Sequence, residues 1–203
     1  MNTLEHLLKK HNLHTDYIEI PNVGRDELVV LCRELGFRFG VEVGVAAGEY
    51  SEQLIKGHQW VRFWGIDPYV KYEGYKDYQL RKTFERMENE ARQRVAGHPE
   101  YQLAKEFSVT AAKNFKDGVL DFVYIDGNHN GEAVRQDIEA WYPKVRSGGI
   151  IAGHDFTGRW PSLRKEVIAY CREKGIQLFI LGMERKDLGL YRDTSRSWLF
   201  VKN

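Results

Sequence analysis

The stretch Phe39-Gly40-Val41-Glu42-Val43-Gly44-Val45-Ala46-Ala47-Gly48 decides the fold. It opens as a β-branched apolar run and ends in small residues, and Ser51 to Lys56 follows with helical spacing. That order predicts a strand, a tight turn and a helix. Small residues at Gly44, Ala46 and Gly48 let the backbone of such a turn approach a ligand closely. A glycine pattern alone is weak, but one set between a strand and a helix is informative.

Outward from this unit, apolar runs at Val61–Asp67, Tyr101–Lys105, Val119–Asp126, Gly148–Asp155, Gln177–Leu181 and Ser197–Val201 predict further strands. Val119–Asp126 is apolar on nearly every residue, as a strand buried on both faces of a parallel sheet should be. Helical patterns occupy Thr3–Lys10, Arg25–Leu35, Glu132–Lys144 and Ser162–Lys174. The alternation predicts an α/β fold: one domain with a Rossmann-like doubly wound, mostly parallel seven-stranded sheet and flanking helices. Its ligands belong at the C-terminal edge of the strands. Residues 1–38 are expected to pack on the core as N-terminal helices, and 39–203 to form the domain itself. Residues 68–99, long for a connection and carrying Tyr69, Tyr72, Tyr75 and Tyr78, are expected to be an insertion on the substrate side.

A chain of 203 residues buries a core without staples. The 30 Lys+Arg against 29 Asp+Glu leave a net charge of +1, which offers no field to steer the protein toward nucleic acid or an anionic membrane. The expected partner is a small molecule, with a homo-oligomer left open. Cys32 and Cys171 both fall in helical segments and read as core fillers in a reducing compartment. The first residues lack the apolar core of a signal peptide, and no run reaches the length of a membrane span, so the cytoplasm is the expected location.

Two acids stand out. Glu42 lies inside an apolar strand, where an ionised carboxylate costs several kcal/mol unless it is paired. A cationic group of a ligand could be that partner, and so could a neighbouring Arg or Lys. Asp67 ends the second strand about 20 residues past the glycine loop, where an acid accepts hydrogen bonds from ribose hydroxyls. The alternative for Asp67 is a turn aspartate before Pro68.

Residues 39 to 155 resemble class I S-adenosylmethionine-dependent methyltransferases, specifically a small bacterial group. The resemblance rests on four motifs in order: Val41-Glu42-Val43-Gly44, Gly65-Ile66-Asp67-Pro68-Tyr69, Val123 to His129 (Val-Tyr-Ile-Asp-Gly-Asn-His), and Gly148 to Asp155 (Gly-Gly-Ile-Ile-Ala-Gly-His-Asp). It implies that Glu42 and Gly44 lie against the methionine part of the cofactor, that Asp67 holds the ribose, and that Glu106, Phe107 and Ser108 border the adenine. Ala46, Gly48, Pro68 and Asp126 complete the expected cofactor contacts.

Methyl transfer needs a nucleophile held in line with the S–CH3 bond and, for an alcohol, a base. Asp126 ends the fourth predicted strand, His129 follows in the Gly127-Asn128 turn, and His154 and Asp155 end the fifth. Neighbouring parallel strands bring these four residues to one edge. Two carboxylates and an imidazole suit a divalent cation, which would acidify a bound hydroxyl. In outline the arrangement is similar to metal-dependent sugar and catechol O-methyltransferases, which implies Asp126 and Asp155 as ligands and His129 as base. His154 stands where those families have an acid, and magnesium prefers oxygen, so Mg2+ or another divalent cation is left open.

The expected activity is O-methylation of a sugar or phenol. The Thr157-Gly158-Arg159-Trp160 loop and the tyrosine-rich insertion are candidate walls for the acceptor. A nicotinamide-dependent oxidoreductase is the competing enzyme class, against which stand the missing third glycine and the lack of a Tyr-x-x-x-Lys pair in the appropriate region. A cofactor-binding but inactive assembly domain is a third possibility. Nucleic-acid methylation is disfavoured by the neutral charge and by the lack of an Asn-Pro-Pro-Tyr-type motif.

Overall fold

The structure, a computed structural model, describes residues 16–21, 23–73, 75, 80–182 and 195–203, without the side chains of residues 81 and 82. The strands are β1 (Ile18–Pro21), β2 (Phe39–Val43), β3 (Arg62–Ile66), β4 (Tyr101–Ala104), β5 (Leu120–Ile125), β6 (Val145–Gly153), β7 (Leu178–Gly182) and β8 (Ser197–Val201). The helices are α1 (Asp26–Glu34), α2 (Glu49–Gly57), α3 (Arg81–Arg94), α4 (Ser108–Ala112), α5 (Gly131–Trp141) and α6 (Pro161–Lys174). The expected helix Thr3–Lys10 lies outside the described residues, as does Tyr78.

Among the described residues the strands form one sheet in the order β1-β7-β8-β6-β5-β2-β3-β4. All pairings are parallel except those of β8 with β6 and β7. The sheet therefore has eight strands where the sequence predicts seven. The additional one, Ile18-Glu19-Ile20-Pro21, is exposed along its length at the edge of the sheet. It has no buried face to print a pattern in the sequence, and its proline is tolerated because an edge strand has N–H groups to spare.

Period-two alternation splits the core between the two faces of the sheet. On β5, Phe122 and Tyr124 pack with Leu28, Cys32 and Leu54 of α1 and α2, whereas Val123 and Ile125 pack with Ile138, Val167 and Cys171 of α5 and α6. Both cysteines are buried and free, as expected of core fillers. Burying side chains of this size stabilises the fold by about 1.5–3 kcal/mol each. Asp121, inside the same strand, accepts from the backbone N–H groups of Arg38 (2.7 Å) and Phe39 (2.8 Å) and from Arg146 Nε (2.6 Å), fixing the entry to β2. The long connection after β3 contains the 14-residue α3, an ordinary crossover helix that the sequence pattern does not separate from the insertion. No helix among the described residues is long and apolar enough to cross a membrane.

Strand order reverses at β2, which lies between β5 and β3, so the connections leave β2 and β5 in opposite directions. Such a switch point opens a crevice at the C-terminal edge of the sheet.

Candidate active site

Gly44 stands at this crossing. Its N–H donates to Ile66 O (2.8 Å), its φ is +89°, and a Cβ there would lie 2.1 Å from Asp126 O. Only glycine fits where the ends of β2, β3 and β5 meet. The next turn is held by Asp67. Its Oδ2 accepts from Ala46 N (3.0 Å), its Oδ1 accepts from Tyr69 N (2.8 Å), and the Tyr69 hydroxyl donates to Ala46 O (2.9 Å). Ala46 and Tyr69 both occupy the left-handed region, at φ +50° and +46°. This mutual bonding offsets their strain, of order 1–3 kcal/mol each. Burial pushes the Asp67 pKa up, against the backbone N–H bonds of Ala46, Tyr69 and Val45, which lower it. Gly48 serves packing instead. A Cβ there would come 2.9 Å from Ala91 Cα, so the glycine lets α2 pack on α3, and it does not line the crevice.

Glu42 is buried below the loop, facing α2. Ser51 Oγ donates to its Oε2 and lies 2.9 Å from the Tyr101 hydroxyl. Burial pushes its pKa up to about 8 despite the Ser51 hydrogen bond, with the Asp126 charge raising it further and Arg25 lowering it. Its immediate protein partner is thus a hydroxyl.

Asp126, His129, His154 and Asp155 converge as expected. His129 Nε2 is 2.7 Å from Asp155 Oδ2 and 3.5 Å from Asp126 Oδ1, and its ring stacks on Trp160 at 4.8 Å between centroids. His154 Nδ1 is 3.5 Å from Asp155 Oδ2 and 3.7 Å from Asp126 Oδ2. Ligand atoms of Asp126, His154 and Asp155 all lie within 4.8 Å of one another, a spacing that could hold a metal ion. Burial favours the neutral His129 ring, but the hydrogen bonds to Asp126 and Asp155 outweigh it and push the pKa up to about 10. The same bonds from His129 and His154 hold the Asp155 carboxyl well below its usual range, against burial.

One cavity of about 710 Å³ joins these parts, lined by Glu42, Gly44, Ala46, Asp67 and Pro68 and continuing to Asp126, His129, His154 and Asp155. Phe107 and Ser108 line it too, whereas Glu106 does not and instead accepts from Asn114 Nδ2 (3.2 Å). Tyr72 and Tyr75 stack on each other at 5.0 Å, and Tyr72 meets the edge of Phe107 at 5.4 Å. These tyrosines therefore wall the Asp67 and Phe107 end, whereas Arg159 and Trp160 wall the His129 end.

Among the lining residues that sequence reasoning missed are Asp137 and Arg25. Asp137 of α5 is buried, with its pKa raised to about 6 by burial against a Ser108 hydrogen bond; Ser108 Oγ also accepts from Trp141 Nε1 (2.9 Å). An acid on the apolar stripe Val134, Ile138 and Trp141 was the available signal. Arg25, just before α1, reaches the cavity from a segment with no motif.

A family model described as a methyltransferase domain matches residues 41–156. Comparison with curated proteins gives no match. Among solved structures the chain is similar to an O-methyltransferase from Bacillus cereus in complex with SAH, at 17% identity and a TM-score of 0.63 over 98% of this chain and 90% of that one. It is similar to a Staphylococcus aureus protein described as a caffeoyl-CoA O-methyltransferase, at 14% identity and a TM-score of 0.62 over 98% and 93% of the two chains. It is also similar to the precorrin-6y C5,15-methyltransferase from Geobacter metallireducens, at 13% identity and a TM-score of 0.60 over 87% of each. At these identities the structures share the fold, while the family match covers the glycine loop, Asp67 and the Asp126 to Asp155 cluster. The chain belongs to the methyltransferase-domain family and is a class I S-adenosylmethionine-dependent methyltransferase.

Proposed function

We propose that the protein transfers a methyl group to a hydroxyl of a small molecule, a sugar or a phenol, with His129 removing the proton. The observation that carries this reading is the single cavity that connects Asp67 and Gly44 to the Asp126, His129, His154 and Asp155 cluster. Its volume of about 710 Å³ suits a nucleoside cofactor together with a small acceptor. S-adenosylmethionine, when bound, supplies a methyl group activated on a sulfonium. Asp67 fits the ribose, because the backbone N–H groups of the turn orient its carboxylate at the cavity wall, and a carboxylate's two oxygens have about four acceptor sites, leaving room for a hydroxyl. Phe107 and Ser108, with Tyr72 and Tyr75 of the 68–99 insertion, would flank the adenine, so the insertion serves the cofactor end more than the acceptor.

At the other end Trp160 orients His129, and the ring nitrogen faces Asp155 and Asp126. Those carboxylates stabilise the protonated ring, which suits the product of proton removal. They also keep the proton on His129 near neutrality, so the base must first release it. The donor set of Asp126, His154 and Asp155 fits a divalent cation, which would acidify a coordinated hydroxyl. With the cation's charge beside Asp155, His129 would lose its main reason to stay protonated. The nicotinamide alternative is disfavoured by the family match.

The test is turnover of S-adenosylmethionine against panels of sugars and phenols, with Mg2+, with Mn2+ and with chelator. A methylated hydroxyl product is expected, with His129→Asn retaining cofactor affinity and losing about 10²- to 10⁴-fold in rate. Methylation confined to amine, thiol or nucleic-acid acceptors would sink the hydroxyl assignment, and an unchanged rate in His129→Asn would remove the base.

A further inference from the structure

The methionine end of the cavity is acidic, with Glu42 and Asp126 flanking Gly44 and with Asp67 and Asp155 farther along. A cofactor that brings an ammonium and a sulfonium fits that sign. A guanidinium at the same place does not, because it would repel both charges unless it met an anion of the ligand. Arg25 is nevertheless held there: its Nη1 is 3.7 Å from Asp126 Oδ2, and its guanidinium lies 4.7 Å above the Tyr50 ring. The Tyr50 hydroxyl donates to Arg25 O at 2.9 Å, so the residue is clasped at both its backbone and its head. Tyr50 is buried in the first turn of α2 and lines the same cavity. The glycine loop and its helix thus fix an arginine from outside the family-matched segment, which begins at residue 41.

We propose that Arg25 recognises the α-carboxylate of the cofactor's methionine moiety, exchanging its contact with Asp126 for that carboxylate while Glu42 and Asp126 face the ammonium. The proposal rests on the cofactor placement given above. An α-amino acid head is a zwitterion, and Arg25 before α1 with Asp126 after β5 offers it charges of both signs 3.7 Å apart. Arginine suits this role because its planar fork pairs with both carboxylate oxygens. The exchange also frees Asp126 from a cation at the moment the ammonium arrives, so recognition of one half of the zwitterion prepares recognition of the other. Cofactor fragments that lack the amino-acid head gain nothing from Arg25.

The test is calorimetric titration of wild type, Arg25→Gln and Arg25→Met with S-adenosylhomocysteine and with 5′-deoxy-5′-methylthioadenosine, which keeps the nucleoside and thioether but has no amino-acid head. Arg25→Met retains an apolar stem over Tyr50, so agreement between the two variants separates charge from packing. S-adenosylhomocysteine is expected to weaken about 10- to 100-fold in both variants, with the headless ligand unchanged. Equal weakening of both ligands would make Arg25 a structural strut for Asp126 and overturn the proposal, as would unchanged affinity for S-adenosylhomocysteine. If wild type binds the headless ligand but not S-adenosylhomocysteine, Arg25 has no carboxylate to read and the proposal fails alone. Wild type that binds neither would bring down the cofactor placement and this proposal with it.

Discussion

Replacing Glu42 by glutamine should make the ligand-free protein more stable and the cofactor-bound protein poorer. The unfolded carboxyl releases its proton near its ordinary value of 4.5, whereas in the folded chain burial raises that pKa to about 8. Between those values the folded state keeps a proton that the unfolded state has lost. Stability is therefore highest below the unfolded pKa and falls with rising pH, by about 1.36 kcal/mol per unit, until the folded pKa is passed. At pH 7 the cost is about 3 kcal/mol, and at pH 5 it is under about 1 kcal/mol. Glutamine keeps the shape and the Ser51 hydrogen bond but adds a buried amide that needs an acceptor, worth about 1 kcal/mol against it. Glu42→Gln should then gain about 2 kcal/mol at pH 7, or about 4–8 °C in Tm for a chain of this size, and nothing at pH 5.

Thermal unfolding of both proteins without ligand, at intervals from pH 5 to pH 8, measures this directly. A Tm difference that stays constant over that range would refute the reasoning, because it would mean that Glu42 changes its ionisation with the unfolded chain and carries no raised pKa. The same variant should bind S-adenosylmethionine at least about 10-fold more weakly, since on the proposed placement the cationic head would meet and ionise the Glu42 carboxyl, which glutamine cannot match. Lost stability and lost affinity together would indicate a damaged fold; gained stability with lost affinity is the signature of a buried acid kept for a ligand.

Gly44→Ala should abolish detectable S-adenosylhomocysteine binding and cost at least about 2 kcal/mol in denaturant melts, because its Cβ would lie 2.1 Å from Asp126 O. Gly118→Ala, also at positive φ but with nothing within 4 Å, should cost only about 1 kcal/mol and leave binding intact. Asp67→Ala should weaken S-adenosylhomocysteine by about 10- to 100-fold in calorimetry and loosen the turn that Ala46 and Tyr69 share, and unchanged affinity would sink the ribose assignment. Asp155→Asn should remove any stimulation of turnover by divalent cations while sparing cofactor affinity, and a metal response equal to wild type would take Asp155 out of the cation site.

What was legible in the sequence follows from how each residue gets its role. Gly44, Asp67 and Asp126 sit at strand ends, where a local pattern of apolar run, small residue and acid already says which edge they occupy; the structure brings all three into one cavity. Gly48 carries the same pattern for another reason, since its missing Cβ makes room for Ala91, and no local signal separates a glycine that faces a ligand from one that faces a helix. Glu42 was legible as an anomaly but not as a partner, because Ser51 and Tyr101 reach it from a helix and a strand that only the fold brings together. Arg25 was not legible at all. Its place depends on α1 packing over α2 and on the clasp with Tyr50, and an arginine in an amphipathic N-terminal stretch looks like any solvated charge. Acids in an apolar strand announce themselves because their burial costs energy, whereas a long cationic side chain reaches a site from a half-exposed position without disturbing the pattern around it. Arg25 is therefore the part of the methionine end hidden from the sequence, and the chemistry that most needs measuring is what its charge was placed to meet.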